Sequence, residues 1–80
     1  AIDNLVETSL YNDLKSLRTR QNLTQKGLAD AIGITRQTII AIEKGHFVPS
    51  VKLALQLARR LGVPLEELFW IEKDLGDDHA

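Results

Sequence analysis

The stretch from residue 24 to residue 45 limits the possible fold most, because it contains two consecutive units of the same design. Each unit is a threonine, a short segment with helical periodicity, and a glycine. Thr24 and Thr35 can cap helices, since a threonine hydroxyl accepts a hydrogen bond from a free backbone N–H group. Gly33 and Gly45 can end helices, since glycine adopts the left-handed conformation without a Cβ clash. The stretch therefore predicts two short helices joined by a tight turn.

Apolar residues recur at helical spacing along this stretch, and we expect helices over residues 25–32 and 36–44. These apolar residues are Leu28, Ala29, Ile32, Ile34, Ile39 and Ile42. The two apolar stripes would share a small core. The opposite face of the second helix begins with Arg36, Gln37 and Thr38, which suit base edges and phosphates in the major groove of DNA. An ordinary solvated surface is the alternative interpretation of these three residues.

The remaining sequence predicts three more helices. Asn12 is a suitable cap for a helix over residues 13–21, and Ser50 is a suitable cap for one over residues 51–61. Pro64 favours the start of a fifth helix, because its missing N–H would be unpaired there anyway. The core face of the fourth helix can use Val51, Ala54, Leu57, Ala58 and Leu61.

Surplus apolar residues predict a second contact surface. Leu53 or Leu55 is left over on the fourth helix, and Trp70 and Ile71 directly follow an apolar run. Because large apolar side chains are costly to leave in water, we expect Trp70, Ile71 and Leu55 to form a two-fold dimer contact. The alternative is that Trp70 lies partly exposed without a partner.

The net charge of −1 hides an asymmetry along the chain. Residues 1–60 hold nine Lys/Arg and five Asp/Glu, whereas residues 61–80 hold one and six. Because charges are screened beyond about 8 Å at physiological salt, the basic body can attract phosphates despite the acidic total. Chance clustering on a solvated surface is the alternative.

Length and composition exclude several classes of protein. Eighty residues form at most one domain. The sequence has no cysteine for a disulfide, no apolar run near the length of a membrane span, and no signal-peptide pattern. This is compatible with a cytoplasmic protein. His46 and His79 lack partners at ligand spacing, and no catalytic motif is present, so we expect no metal, no cofactor and no enzymatic activity.

The two ends of the chain are the least informative parts. Residues 1–11 are compatible with a helical extension, a short strand, or a segment ordered only by a partner. Residues 72–80 are acidic and poor in apolar residues, so we expect a flexible tail. The domain itself would span residues 12–71.

Several segments match one known family in both residue types and spacing. They are LKSLRTRQNLTQ, LADAIGITRQTIIAIEKG and PSVKLALQLARRLGVPLEELF. With them, the chain from about residue 12 to residue 69 resembles the lambda-repressor-like helix-turn-helix family, the Xre/Cro class. The resemblance implies an all-α, compact five-helix domain whose second and third helices read DNA, usually as a dimer on a near-palindromic operator. The chain departs from the family pattern at three positions. Relatives often have Glu in place of Gly27, a polar residue in place of Ile40, and Ser in place of Pro64.

The resemblance also implies roles for individual positions. Gln25 would contact a phosphate or take part at the end of a base contact. Ala41 would contact the groove wall or a thymine methyl group, and Lys44 would contact a phosphate. Arg18 would pair with Glu43 across two helices and stay near the DNA backbone. The residues implied at the groove itself are Thr35, Arg36, Gln37 and Thr38.

These observations favour a sequence-specific transcriptional regulator, most simply a repressor that binds double-stranded DNA as a homodimer. One alternative is a DNA-binding antitoxin, which would neutralise a partner protein through residues 1–11 or the acidic tail. A protein-interaction adaptor that does not read DNA is another. Arg36, Gln37 and Lys44 together argue against the adaptor.

Overall fold

Five short helices and a two-stranded antiparallel sheet make up residues 9–71, the part of the chain that the computed structural model describes. The elements are β1 Leu10–Asn12, α1 Leu14–Arg20, α2 Gln25–Ile32, α3 Arg36–Glu43, α4 Val51–Leu61, α5 Leu65–Leu68 and β2 Phe69–Ile71. The predicted five-helix class is confirmed, with the sheet as an addition. Residues 1–8 of the expected extension and the expected tail at residues 72–80 lie outside the described part. None of the helices described is long and apolar enough to cross a membrane.

The α2–α3 unit is fixed by the caps that the sequence predicts. The Thr24 hydroxyl accepts a hydrogen bond from Gly27 N at 2.8 Å, and the Thr35 hydroxyl accepts one from Thr38 N at 3.4 Å. Gly33 ends α2 with a φ of 85°, in the left-handed region that favours glycine. The bounds of α2 and α4 match the prediction, and α3 is one residue shorter.

An apolar cluster fills the space between the helices. Its buried members are Leu14, Leu17, Leu28, Ala29, Ile39, Ile42, Ala54, Leu57, Ala58, Leu61, Leu68 and Phe69. All five helices contribute, so the α2–α3 unit rests on a platform formed by the others. The prediction that Val51 belongs to this core is wrong, since the residue is 73% exposed. Val51 instead shares a surface hollow with Leu55, one turn further along α4.

The sheet joins the two ends of the described chain. Tyr11 lies opposite Trp70, and Asn12 lies opposite Phe69, in an antiparallel register. Of the three structures left open for the N-terminal segment, residues 10–12 therefore adopt the strand. The chain leaves helical geometry at Phe69, where φ is −131° and ψ is 140°. Consecutive aromatic and β-branched residues favour this extended conformation.

Asn12 connects the sheet to two helices. Its Oδ1 accepts a hydrogen bond from Leu14 N at 3.0 Å, and its Nδ2 donates one to Ile42 O at 2.9 Å. The prediction that Asn12 is the N-cap of α1 is wrong, because the helix begins at Leu14 and its cap position is held by Asp13, which makes no side-chain cap hydrogen bond. The Asn12 amide nevertheless accepts the first backbone N–H of the helix. A single amide serves the start of α1 and the end of α3.

Candidate nucleic-acid interface

The start of α3 holds the residues predicted to read DNA. Arg36 and Gln37 are exposed, and Thr38 is half-buried. The Thr35 and Thr38 hydroxyl oxygens lie 3.1 Å apart, and the Thr35 oxygen also accepts the Thr38 backbone N–H. The two threonines therefore bond to each other within the first turn of α3. Arg36 and Gln37 are the long polar side chains that this helix end leaves accessible.

A buried ion pair attaches the other end of α3 to α1. Arg18 Nε donates to Glu43 Oε2 at 2.6 Å, and Arg18 Nη2 donates to Glu43 Oε1 at 3.3 Å. Arg18 Nη1 also donates to Leu23 O at 2.8 Å. The two charged side chains are only 9% and 6% exposed, so these bonds replace the water that each charge has lost. The predicted pairing of Arg18 with Glu43 is confirmed.

The structure leaves little accessible surface on Arg18, which the resemblance places near the DNA backbone. The residue is buried, and each of its three guanidinium nitrogens donates to Glu43 or to Leu23 O. A phosphate would have to displace these partners and reach a side chain with almost no accessible surface. Arg18 therefore holds α3 in place and is not part of the exposed surface.

Gln25, the first residue of α2, links the buried ion pair to the exposed start of α3. Its Nε2 donates to Glu43 Oε1 at 3.0 Å, and its Oε1 accepts from Arg36 Nε at 3.3 Å. The sequence alone gave no signal for either bond, because the partners lie 18 and 11 residues away and meet only when the helices pack. Gln25 was predicted to contact DNA. In the structure its side chain bonds to two protein residues, Glu43 and Arg36.

The two other residues expected at DNA lie further along α3. Ala41 is half-buried, and the exposed Lys44 directly follows the helix as its C-cap. At the rise of an α-helix, Lys44 is about 12 Å along the axis from Arg36. The surface therefore has cations at both ends of α3, with a small apolar residue between them.

The exposed surface of α3 can form hydrogen bonds and ionic contacts. Arg36 has only donors, whereas the amide of Gln37 both donates and accepts. Within residues 9–71, no three His, Cys, Asp or Glu side chains are placed to hold a metal ion. The arrangement suits recognition of a ligand with both anionic and hydrogen-bonding groups, such as the major groove.

The three residues expected at a dimer interface lie on more than one surface. Leu55 lines a hollow on α4 with Val51, whereas Trp70 lines a different hollow with Val63. Ile71 faces the opposite side of the sheet from Trp70, because successive side chains of a strand alternate. Leu55, Trp70 and Ile71 are all exposed. Val51 was not predicted at this surface, although its four-residue spacing from Leu55 was a usable signal.

Known proteins match most of the described chain. The family described as "Helix-turn-helix" matches residues 14–68. An uncharacterized HTH-type transcriptional regulator of Methanocaldococcus jannaschii is 52% identical over 65 residues, covering 81% of this chain and 98% of that protein. The cryptic phage CTXphi transcriptional repressor RstR of Vibrio cholerae is 36% identical over 55 residues, covering 69% of this chain and 50% of the repressor.

A solved structure shows a similar fold. The restriction-modification controller protein C.AhdI from Aeromonas hydrophila superposes with a TM-score of 0.64 at 33% identity, covering 68% of this chain and 82% of that one. The resemblance to the Xre/Cro class is thereby confirmed, and the chain is a DNA-binding regulator and not an enzyme. On the extent and identity of these matches, the chain belongs to the helix-turn-helix family of transcriptional regulators.

Proposed function

We propose that this chain is a sequence-specific repressor that binds a near-palindromic DNA operator as a homodimer. The observation that carries the proposal is the exposure of Arg36 and Gln37 at the capped start of a helix that a buried ion pair holds in place. Base reading requires long polar side chains on a rigid element. The similarity to the repressor RstR supports repression as the mode of action.

In the proposed complex, α3 lies in the major groove with its N-terminal residues against the base edges. Arg36 donates two hydrogen bonds to O6 and N7 of a guanine, and Gln37 pairs in the same two-bond manner with an adenine. Ala41 contacts the groove wall or a thymine methyl group, and Lys44 contacts a phosphate at the other end of the helix. Thr35 and Thr38 contribute hydroxyl groups at the groove.

The proposed dimer places two copies of α3 in successive major grooves. Its half-sites lie about 34–36 Å apart, one turn of DNA, if the dimer is two-fold symmetric. Leu55, Trp70 and Ile71 provide exposed apolar surface for the contact, together with Val51 on α4. Occupancy of an operator that overlaps a promoter would then block polymerase in the cytoplasm.

The domain that we propose for DNA binding spans residues 12–71, and the rest of β1 extends it on the N-terminal side. The antitoxin alternative depends largely on residues 1–8 and 72–80, outside the described part. The described residues contain no observation that favours the antitoxin or the adaptor over a DNA-binding repressor.

The proposal is tested by selecting binding sites from random double-stranded DNA. We expect a near-palindromic consensus whose half-sites are one helical turn apart. Enrichment of no sequence would contradict base reading, and a single unrepeated half-site would contradict the symmetric dimer. A reporter promoter that overlaps the selected site should lose expression when the protein is present, and increased expression would contradict repression.

A further inference from the structure

A hollow on the outer side of α4, here called the α4 hollow, combines an apolar floor with a basic rim. Its lining residues are Val51, Lys52, Leu55, Gln56 and Arg59. Val51, Leu55 and Arg59 follow each other at four-residue spacing, so they lie along one side of the helix. Val51 is 73% exposed and Leu55 is 51% exposed, which leaves an apolar strip in contact with water. α4 contains three cations and no acidic residue, so this side of the domain is basic.

A second hollow, here called the Trp70 hollow, combines an apolar floor with an acidic rim. Its apolar residues are Leu17, Val63 and Trp70, and its acidic residues are Asp13, Glu66 and Glu67. Asp13 forms an exposed ion pair with Arg20, the one cation that lines this hollow, at 3.6 Å. Within residues 9–71, no cation pairs with Glu66 or Glu67. The described residues therefore leave two carboxylates uncompensated beside the exposed indole.

We propose that the two hollows are the two halves of one contact, in which the α4 hollow of each copy packs against the Trp70 hollow of the other. This inference rests on the homodimer proposed above and specifies how its two copies recognise each other. No residue lines both hollows, so one copy can engage both at once. In a two-fold dimer, a contact of residue i with residue j is repeated as a contact of j with i. The reciprocal contact therefore forms twice and covers both hollows of each copy.

Charge decides between this arrangement and one in which each hollow meets its own counterpart. In the self-facing arrangement, Lys52 and Arg59 would lie against the same two cations of the other copy. The carboxylates of Glu66 and Glu67 would likewise lie against carboxylates. Like charges placed against each other across an interface are costly. A self-facing dimer would therefore pay this cost at both hollows.

In the reciprocal arrangement, the charges of the two hollows balance. The α4 hollow has two cations, whereas the Trp70 hollow has three carboxylates and one guanidinium, a net charge of −2. A cation of the α4 hollow can also lie over the Trp70 ring, whose face attracts positive charge. The apolar floors supply buried area, and the charged rims fix the register and disfavour partners with the wrong charge. Unlike rims thus make the contact selective for a second copy of this chain.

The test is a charge swap on the full chain, with the dimer Kd measured by sedimentation. An acid-reversed variant carries Glu66→Lys and Glu67→Lys. A base-reversed variant carries Lys52→Glu and Arg59→Glu. In either variant both contacts of the dimer would oppose like charges, so we expect the dimer Kd to rise about 100-fold, about tenfold for each contact. An equal mixture of the two variants should form a heterodimer, and one chain with all four substitutions should dimerise again, because unlike charges face each other in both.

A self-facing interface would give different results. Each reversal would then replace one set of facing like charges by another, so neither variant would differ from the native chain, and this outcome would overturn the reciprocal contact. Salt provides a second measurement, because screening weakens the attraction between unlike charges and the repulsion between like ones. We expect added salt to raise the native dimer Kd. A Kd that falls with salt would also overturn the proposal.

Controls separate this inference from the proposed function. Lys15→Glu combined with Lys26→Glu is the matched control, since it reverses two exposed cations outside both hollows and should leave the dimer Kd unaltered. If the acid-reversed variant does not fold, Glu66→Gln with Glu67→Gln removes the charges without reversing them and should still weaken the dimer. An unweakened dimer in that variant would overturn the reciprocal contact.

The base preference within a half-site should persist in the hollow variants, because their substitutions lie outside α3. A native chain that stays monomeric on its selected DNA would contradict the homodimer itself. A native dimer that ignores every charge reversal would contradict only the reciprocal contact.

Discussion

At the scale of single residues, Arg36 is the main determinant that we propose for base reading. Replacing it with alanine removes the donors for a guanine, so binding to the preferred site should weaken by about 1–3 kcal/mol with relaxed preference at one base position. Arg60→Ala is the matched control, because it removes an equally exposed positive charge from α4. Titration of labelled duplexes measures both effects. An equal loss on random DNA would contradict base reading by Arg36.

Lys44 should contribute affinity without sequence preference. Its ammonium group is a compact charge at the end of α3, suited to a phosphate and not to a two-bond base contact. We expect Lys44→Ala to weaken binding to all sequences and to lower the slope of log affinity against log salt by about one unit. Lys15→Ala, which removes an exposed charge from α1, should leave the slope unaltered. If the slope is unchanged in Lys44→Ala, Lys44 does not contact a phosphate.

Glu43 should be the charged residue most important for stability. Glu43→Ala leaves the buried Arg18 without its carboxylate, so the free energy of unfolding should fall by about 3–5 kcal/mol. Asp30→Ala removes the exposed pair with Lys26 and should cost only about 0.3–0.5 kcal/mol. Urea unfolding of both variants provides the comparison. Equal losses would show that the Arg18–Glu43 pair behaves as a solvated one.

At the scale of elements, Asn12 ties β1 to the start of α1 and the end of α3. Asn12→Ala removes both hydrogen bonds, and we expect it to cost about 2 kcal/mol of stability. Asn12→Asp keeps an acceptor for Leu14 N but loses the donor to Ile42 O, so its stability should fall between those of the alanine variant and the native chain. Denaturant unfolding orders the three proteins. An aspartate variant as unstable as the alanine variant would contradict a stabilising role of the bond from Leu14 N to Oδ1.

Local signals explain which elements the sequence could predict. Ser50 and Gly62 bracket α4 within the sequence itself, and the structure places the helix between them. The sequence leaves open a short strand within residues 1–11 but does not predict the sheet or the strand at residues 69–71, because the two strands have three residues each and pair across almost the whole described chain. Which segment pairs with residues 69–71 depends on where α5 directs the chain, and that direction follows from packing.

At the scale of the whole molecule, the candidate site shows the same division between local and tertiary information. The exposure of Arg36 follows from the cap and the apolar stripe of α3, which are local features. The burial of Arg18 follows from the packing of α1 against α3, so the family resemblance implied its partner but not its loss of access to solvent. The bonds of Gln25 require α2 and α3 to be packed together, since both of its partners belong to α3. The geometry of the candidate site therefore depends on tertiary packing as well as on local sequence features.

The apolar surface of the described residues predicts how two such domains would associate. A stable two-fold interface buries about 800 Å² on each partner. Because the few exposed apolar side chains of α4, or of the sheet, would bury less than this area alone, we expect both α4 and the Trp70 side of the sheet to take part. Leu55→Glu and Trp70→Ala should each shift sedimentation from dimer towards monomer and weaken operator binding, while the base preference within a half-site persists. Asp30→Ala, on the exposed side of α2, should stay dimeric. If Trp70→Ala stayed dimeric while Leu55→Glu did not, the interface would be restricted to α4 and the part assigned to Trp70 would be wrong.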